Sequence, residues 1–149
     1  MKHYDALKLE GQLCFPLYVA SREVIKKYRP FLEKLDLTYT QYITMMVFWE
    51  NETINVKELG KRLYLDSGTL TPVLKSLESK GFVKRFRSLT DERVLLVEIT
   101  EKGKMLKDEA LKIPYEMSDC IPLQSDDCIQ LYSLLTKFIA TIKKENSSD

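Results

Sequence analysis

Residues 55–100 read NVKELGKRLYLDSGTLTPVLKSLESKGFVKRFRSLTDERVLLVEIT, and the order of signals along them decides the fold. Asn55 stands three residues before Glu58, so its side chain can cap the Glu58 amide while Glu58 reaches back. Val56, Leu59 and Leu63 then share one helix face. A tight connection follows at Tyr64-Leu65-Asp66. Asp66 or Ser67 caps a second helix, in which Leu70, Val73, Leu74 and Leu77 point inward at helical spacing. Gly81 sits where a left-handed residue is expected to end it. The opposite face presents Ser67, Thr69, Thr71, Lys75 and Ser76. Pro72 lies beyond the first turn, where it removes a backbone hydrogen bond, and it predicts a bend or a short helix start.

Behind this pair come two segments rich in β-branched and aromatic residues, Val83 to Arg87 and Arg93 to Ile99, joined across Ser88-Leu89-Thr90-Asp91-Glu92. Helix, turn, helix and basic hairpin in one run predict a winged-helix DNA-binding lobe. The hydroxyls of Ser67, Thr69 and Thr71 and the ammonium of Lys75 can donate to phosphates and base edges, and the major groove admits one α-helix. In the hairpin, Arg85, Arg87 and Arg93 supply positive charge. Arg93 suits a narrow minor groove, with Asp91 two residues earlier able to fix its rotamer.

The 149-residue chain fits one domain and can bury roughly 70% of the surface it exposes unfolded. Its net charge of +1 does not by itself point to nucleic acid, but the distribution does. Residues 57–93 hold nine Lys and Arg against five Asp and Glu, whereas residues 94–149 hold seven against ten. No apolar run of about 18 residues and no charged-then-apolar leader occurs, so a cytoplasmic protein without membrane attachment is expected. The cysteines Cys14, Cys120 and Cys128 are odd in number and lack metal-ligand spacing. They predict free thiols, with neither a metal nor a cofactor.

The flanks read as helices. Residues 12–29 carry Leu13, Leu17, Ala20, Val24 and Tyr28 along one stripe, with Pro16 near the start and Pro30 opening a shorter successor. Thr38 and Gln41 form a capping box ahead of Tyr42, Met45, Met46, Phe48 and Trp49, which read as core. Thr100 caps a helix that Pro114 kinks, Ile121-Pro122 breaks it, and Ser125 caps a last helix with a polar, frayed tail from Lys143 to Asp149. That last helix is apolar over more than 100° of its circumference through Ile129, Leu131, Leu134, Leu135, Phe138, Ile139 and Ile142, which predicts burial against a partner. A two-fold dimer would set its reading helices about 34 Å apart on a palindromic operator. The expected architecture is therefore mainly α with a small β wing. The winged helix-turn-helix lobe spans about 39–100, and dimerisation helices span about 8–36 and 101–145 of a single domain.

Cys14 lies near the start of the first long helix, where backbone amide dipoles favour a thiolate, the form that reacts with peroxides. Gln-Leu-Cys-Phe at 12–15, Leu-Thr-Tyr at 37–39, Tyr-Leu-Asp-Ser-Gly-Thr-Leu-Thr-Pro at 64–72 and Asp-Glu-Arg at 91–93 resemble the organic-hydroperoxide-sensing branch of the MarR repressors. The likeness covers about residues 8–145. It implies a homodimeric repressor whose amino-terminal cysteine, here Cys14, is oxidised by organic hydroperoxide and releases double-stranded DNA. It also implies that tyrosines at positions 28 and 39 give hydrogen bonds to that thiolate across the dimer interface. The family divides into a one-cysteine branch, completed by a low-molecular-weight thiol or further oxidation, and a two-cysteine branch with a resolving thiol. Cys120 matches the region of the resolving thiol, and Cys128 is its possible substitute.

Three rival readings accompany this one. A small aromatic effector bound between the dimer core and the DNA-binding lobe can replace cysteine oxidation. A thiol-dependent peroxidase can use Cys14 as nucleophile, although the only histidine, His3, lies near the terminus and no base motif is near. A winged helix can also dock proteins, in which case binding is indifferent to salt. The expectation is a regulator, not an enzyme.

Overall fold

The computed structural model describes residues 3–146, with side chains through residue 144. Two short 3-10 turns, Tyr4–Leu7 and Leu9–Gly11, lead into α1 (Cys14–Glu33). Then come α2 (Tyr39–Glu50), β1 (Thr53–Asn55), α3 (Val56–Leu63), α4 (Ser67–Ser79), β2 (Val83–Arg87), β3 (Leu95–Ile99), α5 (Glu101–Ala110), α6 (Ile113–Cys120) and α7 (Ser125–Asn146). The chain divides into two compact units, residues 1–115 and 116–149.

The helix-turn-helix forms because its ends are capped in sequence order. Asn55 Oδ1 accepts from the Glu58 amide at 2.7 Å, and the return bond expected from Glu58 is not made among the described residues. Asp66, not Ser67, caps α4 by accepting from the Thr69 amide at 2.7 Å. At the far end Gly81 adopts φ 81°. There its amide bonds to the Glu78 carbonyl and the Phe82 amide to that of Leu77, the paired closure that a left-handed residue permits. Tyr64 ends α3 in the same left-handed region, at φ 54°, a conformation that disfavours a side chain. Pro72 does not divide α4, which is helical from Ser67 to Ser79.

Other expectations shift. α1 continues through Pro30 to Glu33, because the carbonyl that proline leaves without a donor is that of Lys26, on an exposed turn that water can serve. A strand at Thr53–Asn55, not expected from the sequence, pairs antiparallel with β3 (Ile54 opposite Val97), giving the sheet order β1-β3-β2. In the hairpin Arg85 faces Val97. β3 begins at Leu95 and not Arg93, because the Arg93 and Val94 amides both turn back to Asp91. α5 ends at Ala110 and Pro114 falls in the first turn of a separate helix, α6, so it does not kink one continuous helix. Ser125 is the first residue of α7, whose first bond runs from the Cys128 amide to the Gln124 carbonyl. The helix extends through residue 146 of the tail expected to fray, and residues 147–149 lie outside the described part.

The core of the first unit centres on Leu32, Met45, Phe48, Leu59, Leu70, Leu74 and Leu77. Met46, expected there, is exposed. α1 leaves Leu17, Val24 and Ile25 substantially exposed, and α7 leaves Ile129, Leu134, Phe138 and Ile142 so. Among the described residues no helix is long and apolar enough to cross a membrane.

Candidate nucleic-acid interface and thiol site

α4 presents Ser67, Thr69 and Lys75 to solvent. Thr69 is also part of the cap: its amide and its hydroxyl both hold the Asp66 carboxyl below the usual carboxylate range. Thr71 is half-buried and its hydroxyl donates to the Ser67 carbonyl at 2.7 Å, one turn back, which keeps its oxygen available as an acceptor. Ser76, expected on the exposed face, is turned inward, where its hydroxyl oxygen accepts from Nε2 of Gln41 at 2.9 Å.

In the wing the arginines divide by their partners. Arg85 is tied to Glu78 of α4, with Nη2 to Oε1 at 3.0 Å and Nε to the same oxygen at 3.3 Å. This contact holds the Glu78 carboxyl low. The Arg85 charge is thus compensated on the protein, and the pair pins β2 to the end of α4. Arg87 is exposed. Arg93 is 91% exposed, and Asp91 grips it at three points: Oδ1 accepts from the Arg93 amide at 3.1 Å and from its Nε at 3.2 Å, and Oδ2 accepts from Nη2 at 3.5 Å. A side chain held this way presents its guanidinium outward in a restricted set of rotamers. The Ser88 and Thr90 hydroxyls, 3.0 Å apart, and the Ser88 amide on the Val94 carbonyl close the rest of the loop.

Cys14 is exposed at the first position of α1, and Cys120 and Cys128 are partly buried; all three are free thiols. Among the described residues no cluster of three or more His, Cys, Asp and Glu could hold a metal. Tyr28, near the end of α1, and Tyr39, the first residue of α2, pack with tilted rings, their centroids 4.9 Å apart and their planes at 53°. Tyr42 lies 5.8 Å from Tyr28, and Trp49 stands edge-on 6.4 Å behind Tyr42. Burial raises the hydroxyl pKa of Tyr28, Tyr39 and Tyr42, helped at Tyr28 by Tyr39 and at Tyr42 by both neighbours. These phenols therefore stay protonated, as donors, well past neutrality. Among the described residues the Tyr28 and Tyr39 hydroxyls make no hydrogen bond. Beside them runs a groove of about 250 Å³ lined by Ile25, Arg29, Leu32, Leu37, Thr38 and Tyr39.

Sequence reasoning missed a polar cluster linking α2 to α4 through Gln41, Ser76 and Lys80. The Gln41 side chain was read only as the return arm of a cap, and nothing local marks a partner 35 or 39 residues away.

The profile of a family described as transcriptional regulator SarA/Rot matches residues 26–110. The chain is 46% identical over 143 residues to the organic hydroperoxide resistance transcriptional regulator of Bacillus subtilis, covering 96% of this chain and 97% of that protein. It is 46% identical over 131 residues to the HTH-type transcriptional regulator SarZ of Staphylococcus saprophyticus, with 88% and 90% covered. The structure of reduced AbfR bound to DNA, a Staphylococcus epidermidis protein, superposes with a TM-score of 0.80 at 31% identity, covering 94% of this chain and 96% of that one. With its capped helix-turn-helix, its three-stranded wing and these near end-to-end likenesses, the chain belongs to the winged-helix transcriptional regulators of the MarR and SarA/Rot type, in the branch of the organic hydroperoxide resistance regulators.

Proposed function

We propose that this regulator is a cytoplasmic homodimeric repressor that holds a palindromic operator while Cys14 is reduced and releases it when an organic hydroperoxide oxidises Cys14. The observation that carries the reading is a separation. Tyr28 follows Cys14 by fourteen residues on one continuous helix, which puts it about 21 Å up the axis. Within one protomer the exposed thiol therefore cannot meet the Tyr28–Tyr39 pair, whose hydroxyls are unused among the described residues. A two-fold axis between α1 helices brings one protomer's Cys14 to the partner's tyrosines, and it also covers the apolar residues that α1 leaves exposed. Two phenolic donors then favour the thiolate.

The thiolate attacks an oxygen of R–O–O–H. The S–O bond forms as the O–O bond breaks, Cys14 becomes a sulfenic acid, and the alkoxide leaves and takes a proton to become R–OH. A second thiol, that of Cys120 from the partner or of a small molecule, then forms an S–S bond as the S–O bond breaks and water leaves. Cys128 is the alternative second thiol. Each Cys14 reacts once, so the chain is a switch and not a peroxidase. A thousandfold loss of operator affinity requires the oxidised state to disfavour the DNA-bound geometry by about 4 kcal/mol. On DNA, Ser67, Thr69, Thr71 and Lys75 face the major groove, and Arg87 and the Asp91-held Arg93 face the adjacent minor groove. Arg85 acts through Glu78 by fixing the wing.

Mixed dimers test the composite site. A Cys14→Ser chain paired with a Tyr28→Phe/Tyr39→Phe chain contains one complete site only if thiol and phenols come from different protomers. The expected result is that its remaining Cys14 reacts with cumene hydroperoxide at the wild-type rate, while the double-Phe homodimer reacts about tenfold more slowly. A mixed dimer as slow as the double-Phe homodimer contradicts the reading. The groove beside Tyr39 favours a second reading, release by a small aromatic ligand; a phenolic compound that frees DNA from Cys14→Ser would establish it.

A further inference from the structure

α4 rests on the core through Leu70, Leu74 and Leu77, apolar contacts whose driving force is non-directional. What fixes the roll is directional. Gln41, 7% exposed in the first turn of α2, is the hub. Its Oε1 accepts from the Thr38 amide at 3.1 Å and from Nζ of Lys80 at 2.9 Å, and its Nε2 donates to the Ser76 hydroxyl oxygen at 2.9 Å. The two donors fix which end of the amide is oxygen. Lys80, just past the end of α4, also donates to the Asp36 carbonyl at 2.5 Å, in the left-handed corner between α1 and α2. Thr38 Oγ1 accepts from the Gln41 amide at 3.2 Å, so the cap of α2 and the clamp on α4 are one network. Tyr39 is the residue between Thr38 and the rest of α2, and Leu37, Thr38 and Tyr39 line the groove. Any shift of Tyr39 or of the corner from Asp36 to Thr38 is therefore a shift of the groups that hold Ser76 and Lys80.

We propose that Gln41 is a positioning residue that ties the roll of the reading helix α4 to the α1–α2 corner carrying Tyr39, so that a change at the thiol reaches DNA through Thr38, Gln41, Ser76 and Lys80. This inference rests on the redox reading above. Gln41 touches neither DNA nor Cys14 in this role; it sets how strongly the two are linked. Because such a link is reciprocal at equilibrium, the same network makes bound DNA shift the balance between reduced and oxidised Cys14.

The test uses full-length dimers of wild type, Ser76→Ala, Gln41→Leu and Gln41→Glu, with a labelled duplex selected from a randomised pool by the reduced wild-type protein. Operator affinity is measured by anisotropy before and after cumene hydroperoxide, with Cys14 oxidation followed by intact mass on and off DNA. Ser76→Ala and Gln41→Leu are expected to lower the ratio of oxidised to reduced dissociation constants by about fivefold or more, while Cys14 off DNA oxidises at the wild-type rate. Gln41→Glu keeps acceptors for Thr38 and Lys80 and can accept from the Ser76 hydroxyl, so it is expected to retain the ratio. A general loss of packing would not spare it. Ser76→Ala removes a single hydroxyl and serves if Gln41→Leu does not fold. A wild-type ratio in Ser76→Ala, or an equal fall in all three variants, overturns the proposal. A wild-type protein that stays on DNA with Cys14 fully oxidised overturns the redox reading instead, and this inference with it.

Discussion

Replacing Gly103 by alanine should destabilise the regulator where the wing meets α5. A methyl built on Gly103 would stand 2.3 Å from the Phe82 carbonyl oxygen and 2.8 Å from Cγ1 of Ile99. Neither neighbour yields easily. The Phe82 carbonyl already accepts from the Thr100 amide at 3.0 Å, and Ile99 is the buried last residue of β3. α5 must therefore back away from the hairpin, and its first turn holds two further bonds. The Gly103 amide donates to the Thr100 hydroxyl oxygen at 3.1 Å, and the Trp49 indole donates to the Gly103 carbonyl at 3.0 Å. Overpacking of this kind costs about 1–3 kcal/mol. Loosening the cap and the indole bond adds about 1 kcal/mol each, and the better helix propensity of alanine returns about 1 kcal/mol. The net expectation is a loss of about 2–4 kcal/mol. Trp49 is the only tryptophan, so urea unfolding followed by its fluorescence reports the altered contact directly, at fixed protein concentration because dimerisation is linked to stability. A variant as stable as wild type, or more stable by the propensity gain, would refute the close-approach argument.

Arg93→Ala should weaken operator binding and lower the slope of log affinity against log salt by about 0.9, one phosphate contact's worth, whereas Arg85→Ala, already neutralised by Glu78, should change the slope much less. Equal slope changes for the two would remove the distinction drawn between them. Tyr28, Tyr39 and Tyr42 should resist ionisation in an ultraviolet pH titration. Because their folded pKa values are raised, the stability they contribute is complete below the ordinary tyrosine value near 10 and is lost as pH rises through the folded values. For Asp66 and Glu78 the sign is opposite. Their folded carboxyls are held low, so stability present at neutral pH falls as pH drops below the ordinary carboxylate range, and Asp66→Asn should flatten that acid limb.

The helix-turn-helix was legible because every signal that builds it acts within three or four residues. Asn55 on Glu58, Asp66 on Thr69 and Gly81 after the last turn are local chemistry. β1 was not legible, since three residues between two helices become a strand only by pairing with β3 more than forty residues on. Pro30 was overread, because one lost hydrogen bond does not end a helix otherwise held by its neighbours. At the site, the Asp91 grip on Arg93 followed from a two-residue spacing, but the capture of Arg85 by Glu78 and of Ser76 by Gln41 depends on tertiary placement that no spacing encodes. The pairing of Tyr28 with Tyr39 came from family resemblance alone; helical periodicity would have left both as ordinary core aromatics.

One titration bears most directly on the switch. Reduced dimer on labelled duplex receives cumene hydroperoxide in steps up to one equivalent per Cys14, with anisotropy and non-reducing intact mass read at every step. DNA release should track the oxidised fraction of Cys14 and be absent in Cys14→Ser. Release of the same extent from Cys14→Ser, or a complex that persists with every Cys14 oxidised, would contradict the mechanism.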